Sequence, residues 1–467
     1  MENARWFIFS LVLVCALQPG RVVGDAQPVG TVSRPNILMI AIDDLNDWVD
    51  NLPDGHPYSA TPHIDRLAQQ GVNFTNALSP APVCNPSRIA TITGLHPRRT
   101  GIYNNRQTPM RDYLPEATTL FQHFDKQGYF VAGTGKLLHG ADTRAEEWDE
   151  YYNAGGSPKP DRKPWHGMQR MLDEVNKAFD WGPVDAGPSE FREYRMVDWA
   201  AGQFVEEREQ PFFISVGFML PHLAWYMPRE HWDRVNHEPA YPPYKADDRA
   251  DMPPEAQTRT TREHEIITAG GKWQEAIRAY LASSAFVDDQ VGRLLNALEE
   301  SGHGDNTIIV LWSDHGWHLG EKDTWRKYSL WEESTRMPLI IAGPGVANGK
   351  SFEQPVSLLD IYPTLAGLTG TPSGEPLDGV DLTAALADPE GTQLPRKYIV
   401  SSLGQGDSLR GKRWRYTRYT GGDEELYDHA NDPNEWSNLA QHGDYEVVLN
   451  RFRPALDPEL RAPQKKL

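Results

Sequence analysis

The chain has few cysteines: among its 467 residues only Cys15 and Cys84 are of this type. This number excludes a framework of several disulfide bonds as the source of its stability. Cys15 lies in an N-terminal segment that we expect to be removed, so the mature chain would carry Cys84 alone. A single thiol in an oxidising compartment is a liability unless it is buried or converted. Cys84 is therefore a candidate for burial or for chemical conversion.

Long apolar runs are also scarce, and the one near the N-terminus, residues 6–17, is too short to cross a membrane comfortably. It follows Arg5 and precedes small residues that end at Gly24, which is the pattern of a secretory signal peptide. We therefore predict a signal peptide over residues 1–24 and export to a periplasm or to the outside of the cell. Since no other stretch is long and apolar enough to span a bilayer, we expect no stable membrane insertion.

Positive charge is in deficit: Lys and Arg together number 46 against 65 Asp and Glu, which gives a formal net charge of -19. Such a chain is a poor general partner for nucleic acid or for an anionic membrane. Any anionic substrate must therefore be recruited by local basic residues. The rest of the composition, 39% apolar and 24% charged residues, is typical of a globular protein. The length allows one large domain with a smaller one.

Four apolar runs predict buried strands of a mostly parallel sheet: residues 36–42, 211–216, 306–312 and 338–343. The first is followed by Asp43 and Asp44, and the third by Asp314 and His315. The carboxyl ends of parallel strands meet at one edge of a sheet, where open α/β sheets bind ligands. Most Asp-Asp pairs lie in solvated loops, but acidic pairs after two separate core strands favour a site for a divalent cation.

Helices are predicted between the strands, and the strongest covers residues 272–300, where apolar residues, Tyr280 among them, recur with the helical period. A further helix is predicted over residues 356–368. Two stretches lack a clear period. We interpret residues 141–211 as an insertion over the mouth of the site, and residues 228–261 as a long loop. After residue 394, short strand-like runs predict a small antiparallel sheet. The chain is therefore assigned to the α/β class.

Cys84 opens the run Cys-Asn-Pro-Ser-Arg, in which Pro86 suits the first position of a helix. Cys84 would then lie just before a helix N-terminus, where unpaired N–H groups and the helix dipole favour negative charge. Arg88 follows one turn later, close enough to hold whatever group Cys84 becomes. A buried free cysteine beside a surface arginine is the plainer interpretation.

This run resembles the signature of the type I sulfatases, Cys-x-Pro-Ser-Arg followed by Thr-Gly, a pair that Thr93 and Gly94 supply. The resemblance implies that Cys84 is oxidised to formylglycine (3-oxoalanine) by a formylglycine-generating enzyme. The hydrated aldehyde would supply the nucleophilic oxygen, and Arg88 would belong to the same catalytic centre. It also implies one divalent cation, with calcium favoured. Its ligands would come from Asp43, Asp44, Cys84, Asp314 and His315.

Further catalytic residues follow from the same resemblance. Lys136 and His139 come after a glycine turn, His222 follows the second core strand, and Lys327 lies thirteen residues beyond Asp314. In the family these positions surround the sulfate group. The resemblance implies that Lys136, His222 and Lys327 neutralise sulfate oxygens, and that His222 or Lys327 protonates the leaving alcohol. His139 would take the proton that leaves with sulfate release.

The Lys-x-x-His spacing, the Asp-His pair and Lys327 are similar to the iduronate 2-sulfatase group. This similarity implies a sulfated carbohydrate as substrate, a uronic acid or its neighbour in a glycosaminoglycan or an algal polysaccharide. Four arginines near the predicted catalytic positions could read a carboxylate or a second sulfate: Arg98, Arg99, Arg106 and Arg326.

The resemblance covers nearly all of the mature chain and implies an alkaline-phosphatase-like fold, a large mixed and mostly parallel sheet flanked by helices. We place the catalytic domain at residues 34–385 and a small antiparallel α+β subdomain at residues 386–467. Two other functions stay open. The first is a phosphatase or phosphodiesterase of the same superfamily, and the second is a non-catalytic relative that binds sulfated glycans.

Overall fold

The computed structural model describes residues 34–53, 55–140, 145–161, 179–257 and 261–457, together with residues 1 and 465. The predicted signal peptide therefore lies outside the described residues apart from Met1, and so does Cys15. Parts of the predicted insertion, residues 141–144 and 162–178, also lie outside them. Within the described part of the chain, no helix combines the length and the apolar character that crossing a membrane requires.

The described residues form eighteen strands in five sheets. In chain order these are β1 Asn36–Ile42, β2 Gly71–Phe74, β3 Ala77–Leu78, β4 Phe130–Gly135, β5 Glu150–Tyr152, β6 Trp181–Val184, β7 Phe212–Phe218, β8 Trp225–Pro228, β9 Thr307–Ser313, β10 His318–Leu319, β11 Trp325–Arg326, β12 Leu339–Ala342, β13 Lys350–Phe352, β14 Val356–Ser357, β15 Tyr398–Leu403, β16 Gly406–Gly411, β17 Trp414–Tyr419 and β18 Glu424–Asp428.

The largest sheet has eight strands in the order β13-β2-β12-β9-β1-β7-β4-β5. Its central strands β9, β1, β7 and β4 are parallel neighbours, so their carboxyl ends meet at one edge. Strand β12 runs antiparallel to both β9 and β2, which makes the sheet mixed. The predicted fold class, a mixed and mostly parallel sheet flanked by helices, is confirmed.

Helices cover both faces of this sheet. The α-helices of the described residues are Pro62–Gln69, Cys84–Thr93, Pro97–Thr100, Met110–Tyr113, Leu120–Lys126, Arg192–Val205, Arg229–Arg234, Pro254–Gln257, Thr261–Ala269, Trp273–Glu300, Glu332–Thr335, Ile361–Leu368, Thr383–Ala387 and Glu446–Phe452. The last of them packs against strands β16, β17 and β18 instead.

Every side chain of β1 is buried because successive residues point to opposite, covered faces of the sheet. Ile40 belongs to the core cluster that includes the helix Trp273–Glu300. Met39 belongs to the cluster on the other side, which includes Ile89 of the helix Cys84–Thr93. The strand that carries the first acidic pair is therefore held from both sides, and its end is a rigid support for functional groups.

Two local predictions were too simple. Residues 228–261, expected as a loop, contain the helix Arg229–Arg234 and the helix Pro254–Gln257. Residues 356–368, expected as one helix, begin with strand β14, and the α-helix starts only at Ile361. The reason is a local hydrogen bond: the Asp360 carboxylate accepts from the backbone N–H of Ser357, which forms a 3-10 turn before the helix.

The small antiparallel sheet predicted near the C-terminus is confirmed, in the strand order β15-β16-β17-β18. Strand β16 was not predicted, because its sequence Gly-Asp-Ser-Leu-Arg-Gly has one large apolar residue and glycine at both ends. It forms because its two neighbours in the sheet supply the hydrogen bonds.

Residues Pro35–Leu467 form one compact unit. The boundary at residue 385, between the catalytic domain and the C-terminal subdomain, stays a prediction.

A buried ion-pair network joins this small sheet to the helix Glu332–Thr335. Arg415 of β17 is fully buried and donates to the carboxylates of Glu332 and Glu435 and, at 2.9 Å, to the carbonyl of Leu330. A second arginine, Arg410, also pairs with Glu332, at 3.0 Å. The network holds together two regions that are far apart in sequence.

Replacing Arg415 with methionine is expected to lower the free energy of unfolding by about 3 kcal/mol, because two buried carboxylates each lose a charged partner. The matched control is Arg229→Met: its side chain is 50% exposed, and its partner Asp185 is 75% exposed. That control is expected to cost about 1 kcal/mol or less. Urea unfolding of both variants measures the difference, and equal losses would contradict the role given to Arg415.

Candidate active site

The predicted acidic residues lie together at the carboxyl ends of β1 and β9, which are neighbouring parallel strands. Asp43 and Asp44 follow β1 directly, and Asp314 and His315 follow β9. One carboxylate oxygen from each of the three aspartates lies within 4.8 Å of the other two. The backbone N–H of Asp44 also donates to Asp314 Oδ1 at 3.1 Å. The two strand ends therefore form one acidic cluster.

Cys84 reaches this cluster from a helix. The helix begins at Cys84 itself, two residues before the start that Pro86 suggested, with Val83 as the preceding cap residue. The Sγ atom is fully buried, 3.0 Å from Lys327 Nζ and 3.4 Å from His315 Nε2. Cys84 thus lies at a helix N-terminus, where the dipole favours negative charge.

Arg88 lies in the predicted centre, and its hydrogen bonds go to groups other than Cys84. Its Nε donates to Asp314 Oδ2 at 2.8 Å, its Nη2 donates to Asp43 Oδ1 at 3.2 Å, and its Nη1 donates to the carbonyl of Lys136. Within the described part of the chain no hydrogen bond joins it to Cys84. The fully buried guanidinium instead fixes carboxylates from two strands relative to each other.

Two lysines complete the charge pattern. Lys136, at the end of β4, places its Nζ 2.5 Å from Asp43 Oδ2, and Lys327 places its Nζ 2.6 Å from Asp44 Oδ1. Lys327 lies between two residues with positive φ, Arg326 at 69° and Tyr328 at 74°. Such conformations are costly for residues with a side chain and concentrate at functional sites.

The charges of these groups act on one another. Burial alone raises the pKa of the Cys84 thiol, but the positive charges of Lys136 and Lys327 outweigh it and hold that pKa well below its ordinary value. The pKa of Asp43 is likewise held well below its ordinary value, because Lys136, His222 and Arg88 outweigh the effect of burial. The thiol is therefore in the type of environment that stabilises an anion.

The histidines are oriented by backbone carbonyls. The Nδ1–H of His315 donates to Gly316 at 3.0 Å, and that of His222 donates to Leu223 at 2.7 Å. In each ring Nε2 is then the nitrogen that faces the cluster. His222 Nε2 lies 3.9 Å from Asp44 Oδ2. An oriented imidazole of this kind can bind a metal or transfer a proton.

His139 lies at the wall of a cavity, whereas Lys327 and His315 contact Cys84 directly. It lines a cavity of about 540 Å³ together with Lys136 and His222. Its Nδ1 is buried and has no hydrogen-bond partner among the described residues. No hydrogen bond within those residues connects it to Cys84. The cavity is also lined by Tyr151 and Tyr152, so part of the predicted insertion contributes to it.

The cluster fits a divalent cation. Asp44 Oδ2 is buried and has no hydrogen-bond partner among the described residues, although it lies beside two other carboxylates. A carboxylate oxygen left in this way costs free energy unless another cationic group binds it. Asp43, Asp44 and Asp314 offer the hard oxygen ligands that calcium prefers, and His315 adds a nitrogen. Cys84, Asp314 and His315 form a second, overlapping ligand group.

Three of the four arginines predicted to read a substrate anion are occupied elsewhere. Arg98 donates to two backbone carbonyls near the C-terminus, Arg99 pairs with an aspartate at 3.1 Å, and Arg326 pairs with a buried glutamate at 2.5 Å. Arg106 is exposed. The role of Arg98, Arg99 and Arg326 in reading a substrate anion stays a prediction, and each of them has a protein partner in this structure.

Tyr280 was missed by the sequence reasoning, which placed it on the apolar face of the longest helix. Its hydroxyl donates to the carbonyl of Asp44 at 2.8 Å and accepts from the N–H of Asn46 at 2.8 Å. Asp44 has a φ of 64°. The tyrosine thus holds the strained turn that carries a candidate metal ligand, and nothing in its local sequence signals this contact.

Replacing Tyr280 with phenylalanine is expected to lower the free energy of unfolding by about 1–3 kcal/mol, because two buried backbone groups lose their partner. It should also weaken binding of the cation, since Asp44 is less well held. Thermal unfolding with and without added calcium measures both effects. Full retention of calcium stabilisation would contradict the positioning role.

Comparison with known families identifies relatives over most of the chain. The family model described as Sulfatase matches residues 35–371, and the model described as N-sulphoglucosamine sulphohydrolase, C-terminal, matches residues 320–462. A protein named Sulfatase from Formosa agariphila is 36% identical, over 98% of this chain and 93% of its own length. Iduronate 2-sulfatase of Mus musculus is 30% identical, over 74% of this chain and 71% of its own.

A Delta 4,5-hexuronate-2-O-sulfatase from Bacteroides thetaiotaomicron is 29% identical, over 91% of this chain and 88% of its own. Among solved structures, a 2-O GAG sulfatase superposes with a TM-score of 0.70 at 24% identity, covering 92% of each chain. The phosphonate monoester hydrolase of Agrobacterium radiobacter gives 0.72 at 22% identity, over 91% of this chain and 95% of its own. At these identities the solved structures show the shared fold alone.

Proposed function

This chain belongs to the sulfatase family, a class of sulfuric ester hydrolases, and we propose that it is an exported enzyme that removes sulfate esters from a sulfated carbohydrate. One observation carries the proposal. Cys84, in the family's signature, is buried between Lys327 and His315 at the edge of the sheet where three aspartates converge. Export rests on the apolar run after Arg5.

The sulfatase family generally uses a formylglycine and a divalent cation. We propose that Cys84 becomes the formylglycine, through a formylglycine-generating enzyme. Asp43, Asp44, Asp314 and His315 would hold one cation, calcium by the hardness of its oxygen ligands. When bound, the cation supplies positive charge that polarises a sulfate oxygen. The hydrated aldehyde supplies two hydroxyl groups, one as nucleophile and one whose proton must later leave.

The chain's own side chains would stabilise the negative charge of the sulfate group and transfer the protons of the reaction. Lys136 and Lys327 carry the positive charges that offset negative charge on the sulfate oxygens as the S–O bond to the sugar breaks. His222 or Lys327 gives the departing sugar oxygen its proton. His139 accepts the proton lost from residue 84 when sulfate is expelled, a role supported by its place in the cavity beside Lys136 and His222.

The names of relatives and the cavity at the site support a proposal for the substrate class. The mouse relative is named an iduronate 2-sulfatase and the Bacteroides relative a hexuronate-2-O-sulfatase. We propose a sugar of that kind, a sulfated uronic acid or its neighbour in a glycosaminoglycan or an algal polysaccharide. A cavity of about 540 Å³ beside His139 and His222 is in the size range of small-ligand sites.

The test is a panel of sulfated oligosaccharides, aryl sulfates and the matching phosphate esters, with release of sulfate or phosphate measured for each. Sulfate release from at least one sugar, well above any phosphate release, is expected. Faster phosphate release would favour the phosphatase alternative. Binding of sulfated glycans without any release would favour a non-catalytic relative, and cleavage of aryl sulfates alone would refute the carbohydrate assignment.

A further inference from the structure

Two cavities meet at the histidine that approaches the acidic cluster. The cavity of about 540 Å³ and a second one of about 290 Å³ are both lined by Arg192, Met219 and His222. The smaller cavity is also lined by Lys159. His222 Nε2 also lies 3.9 Å from Asp44 Oδ2, so the residues shared by the two cavities include one that adjoins the acidic cluster.

Arg192 is held so that its outer nitrogens are available. It is the first residue of the helix Arg192–Val205 and is half-buried. Its Nε donates to Ser157 Oγ at 3.3 Å, and its backbone N–H donates to the same atom at 3.1 Å. Within the described residues, no carboxylate lies within ion-pair distance of its guanidinium. The two Nη groups can therefore bind a planar anion in a bidentate manner.

The charge of the smaller cavity also favours an anion. Lys159 is exposed and pairs with no carboxylate among the described residues. The acid that lines this cavity is Glu193, which is buried and accepts from Ser157 Oγ at 3.2 Å. Burial raises the pKa of Glu193 and the positive charge of Arg192 lowers it, and the lining of this cavity carries two cations against this one acid. In a chain of net charge -19, this is a local basic surface of the type that recruitment requires.

We propose that Arg192 and Lys159 form a subsite that binds a second anionic group of the substrate, a uronate carboxylate or a further sulfate. The proposal rests on the proposed function, since it concerns the same sugar. The hydrolysed sulfate lies at the acidic cluster and the second anion at Arg192, with His222 between them. Arg192 is the specificity residue of this proposal, whereas Arg98, Arg99 and Arg326 already bond to protein groups.

The experiment compares wild type with Arg192→Gln and Arg192→Lys. Four substrates are used: a 2-O-sulfated hexuronate disaccharide, its carboxyl-reduced form, a form with one further sulfate, and 4-nitrophenyl sulfate. The matched control is Arg229→Gln, an exposed arginine that lines neither cavity and pairs with Asp185 at the surface. Melting temperatures of all variants confirm that they fold.

Arg192→Gln is expected to raise KM for the disaccharide about 10- to 100-fold, the loss of one charge-assisted contact, with kcat nearly unchanged. Arg192→Lys should lie in between, because it keeps the charge and loses the planar fork. Activity on 4-nitrophenyl sulfate should stay within about twofold, and Arg229→Gln should match wild type. A penalty that disappears on carboxyl reduction identifies a carboxylate, and one that appears only with the further sulfate identifies a sulfate.

An equal loss on all four substrates would show a structural role and overturn the subsite. Unchanged KM in Arg192→Gln for every sugar would overturn it as well, while leaving the proposed function standing if wild type releases sulfate from those sugars. If wild type releases sulfate from none of them, the proposed carbohydrate function and the subsite both fall.

Discussion

Replacing Cys84 with alanine is expected to reduce sulfate release by about 10³-fold or more, since nucleophile removal has effects of this size in other hydrolases. The structure gives the physical reason. The Sγ atom of Cys84 lies 3.0 Å from Lys327 Nζ and 3.4 Å from His315 Nε2, so a cation and an imidazole of the centre both contact this position. No other cysteine among the described residues could replace it.

The same position should carry the modification. Mass spectrometry of the peptide that contains residue 84, from protein made in a host with a formylglycine-generating enzyme, is expected to show the aldehyde. Thr91→Ser is the matched control: it lies in the same helix, is buried, and keeps the hydroxyl that bonds to the carbonyl of Ser87. It should keep activity within about threefold. A peptide with only free thiol, in a fully active enzyme, would refute the mechanism.

Removal of the cation, or the substitution Asp314→Asn, is expected to reduce turnover by about 10²-fold or more, because charge stabilisation at the sulfate is lost. Asp314 contributes to both overlapping ligand groups, one with Asp43 and Asp44 and one with Cys84 and His315. Elemental analysis should find about one calcium per chain in the wild type and much less in Asp314→Asn. Added calcium should restore the chelated wild-type enzyme.

A second acidic group in the chain provides the control for that experiment. His63, Asp288 and Asp289 also lie within 4.8 Å of one another, but His63 and Asp289 are partly exposed and Asp289 already pairs with Arg234 at 2.7 Å. Asp289→Asn is therefore expected to keep the metal content and the activity of the wild type. Loss of the calcium in Asp289→Asn, with full retention in Asp314→Asn, would show that the calcium binds at the second acidic group and would contradict this prediction.

Circular dichroism should accompany the measurements of turnover and metal content, to show that Asp314→Asn is folded. This check is needed because Asp314 accepts a hydrogen bond from Arg88 at 2.8 Å. Asparagine at this position keeps an oxygen acceptor but loses the charge, so some loss of stability is expected. Unchanged activity after thorough chelation would contradict the cation's role whatever the stability of the variant.

Much of the catalytic centre was predictable because its information is local in sequence. Asp43, Asp44 and Asp314 each follow an apolar run that can only be a buried strand, and the carboxyl ends of parallel strands share one edge. Cys84 stands in a motif of adjacent residues. For the aspartates the chemistry and the strand that carries it lie within a few positions, so the apolar period suggested a site. For Cys84 the resemblance of its motif to the sulfatase signature suggested it.

The tertiary structure decided the residues whose partners are distant in sequence. Spacing assigned Arg88 to Cys84, but the direction of the helix turns its guanidinium towards Asp43 and Asp314. Tyr280 appeared to be one more apolar-face residue until the fold placed its hydroxyl on the carbonyl of Asp44. Arg192 belongs to a segment without periodicity, and only the packing of that segment beside His222 shows where its charge lies. A sequence pattern reports what a residue is and which face it occupies, whereas which distant group it contacts depends on how the elements pack.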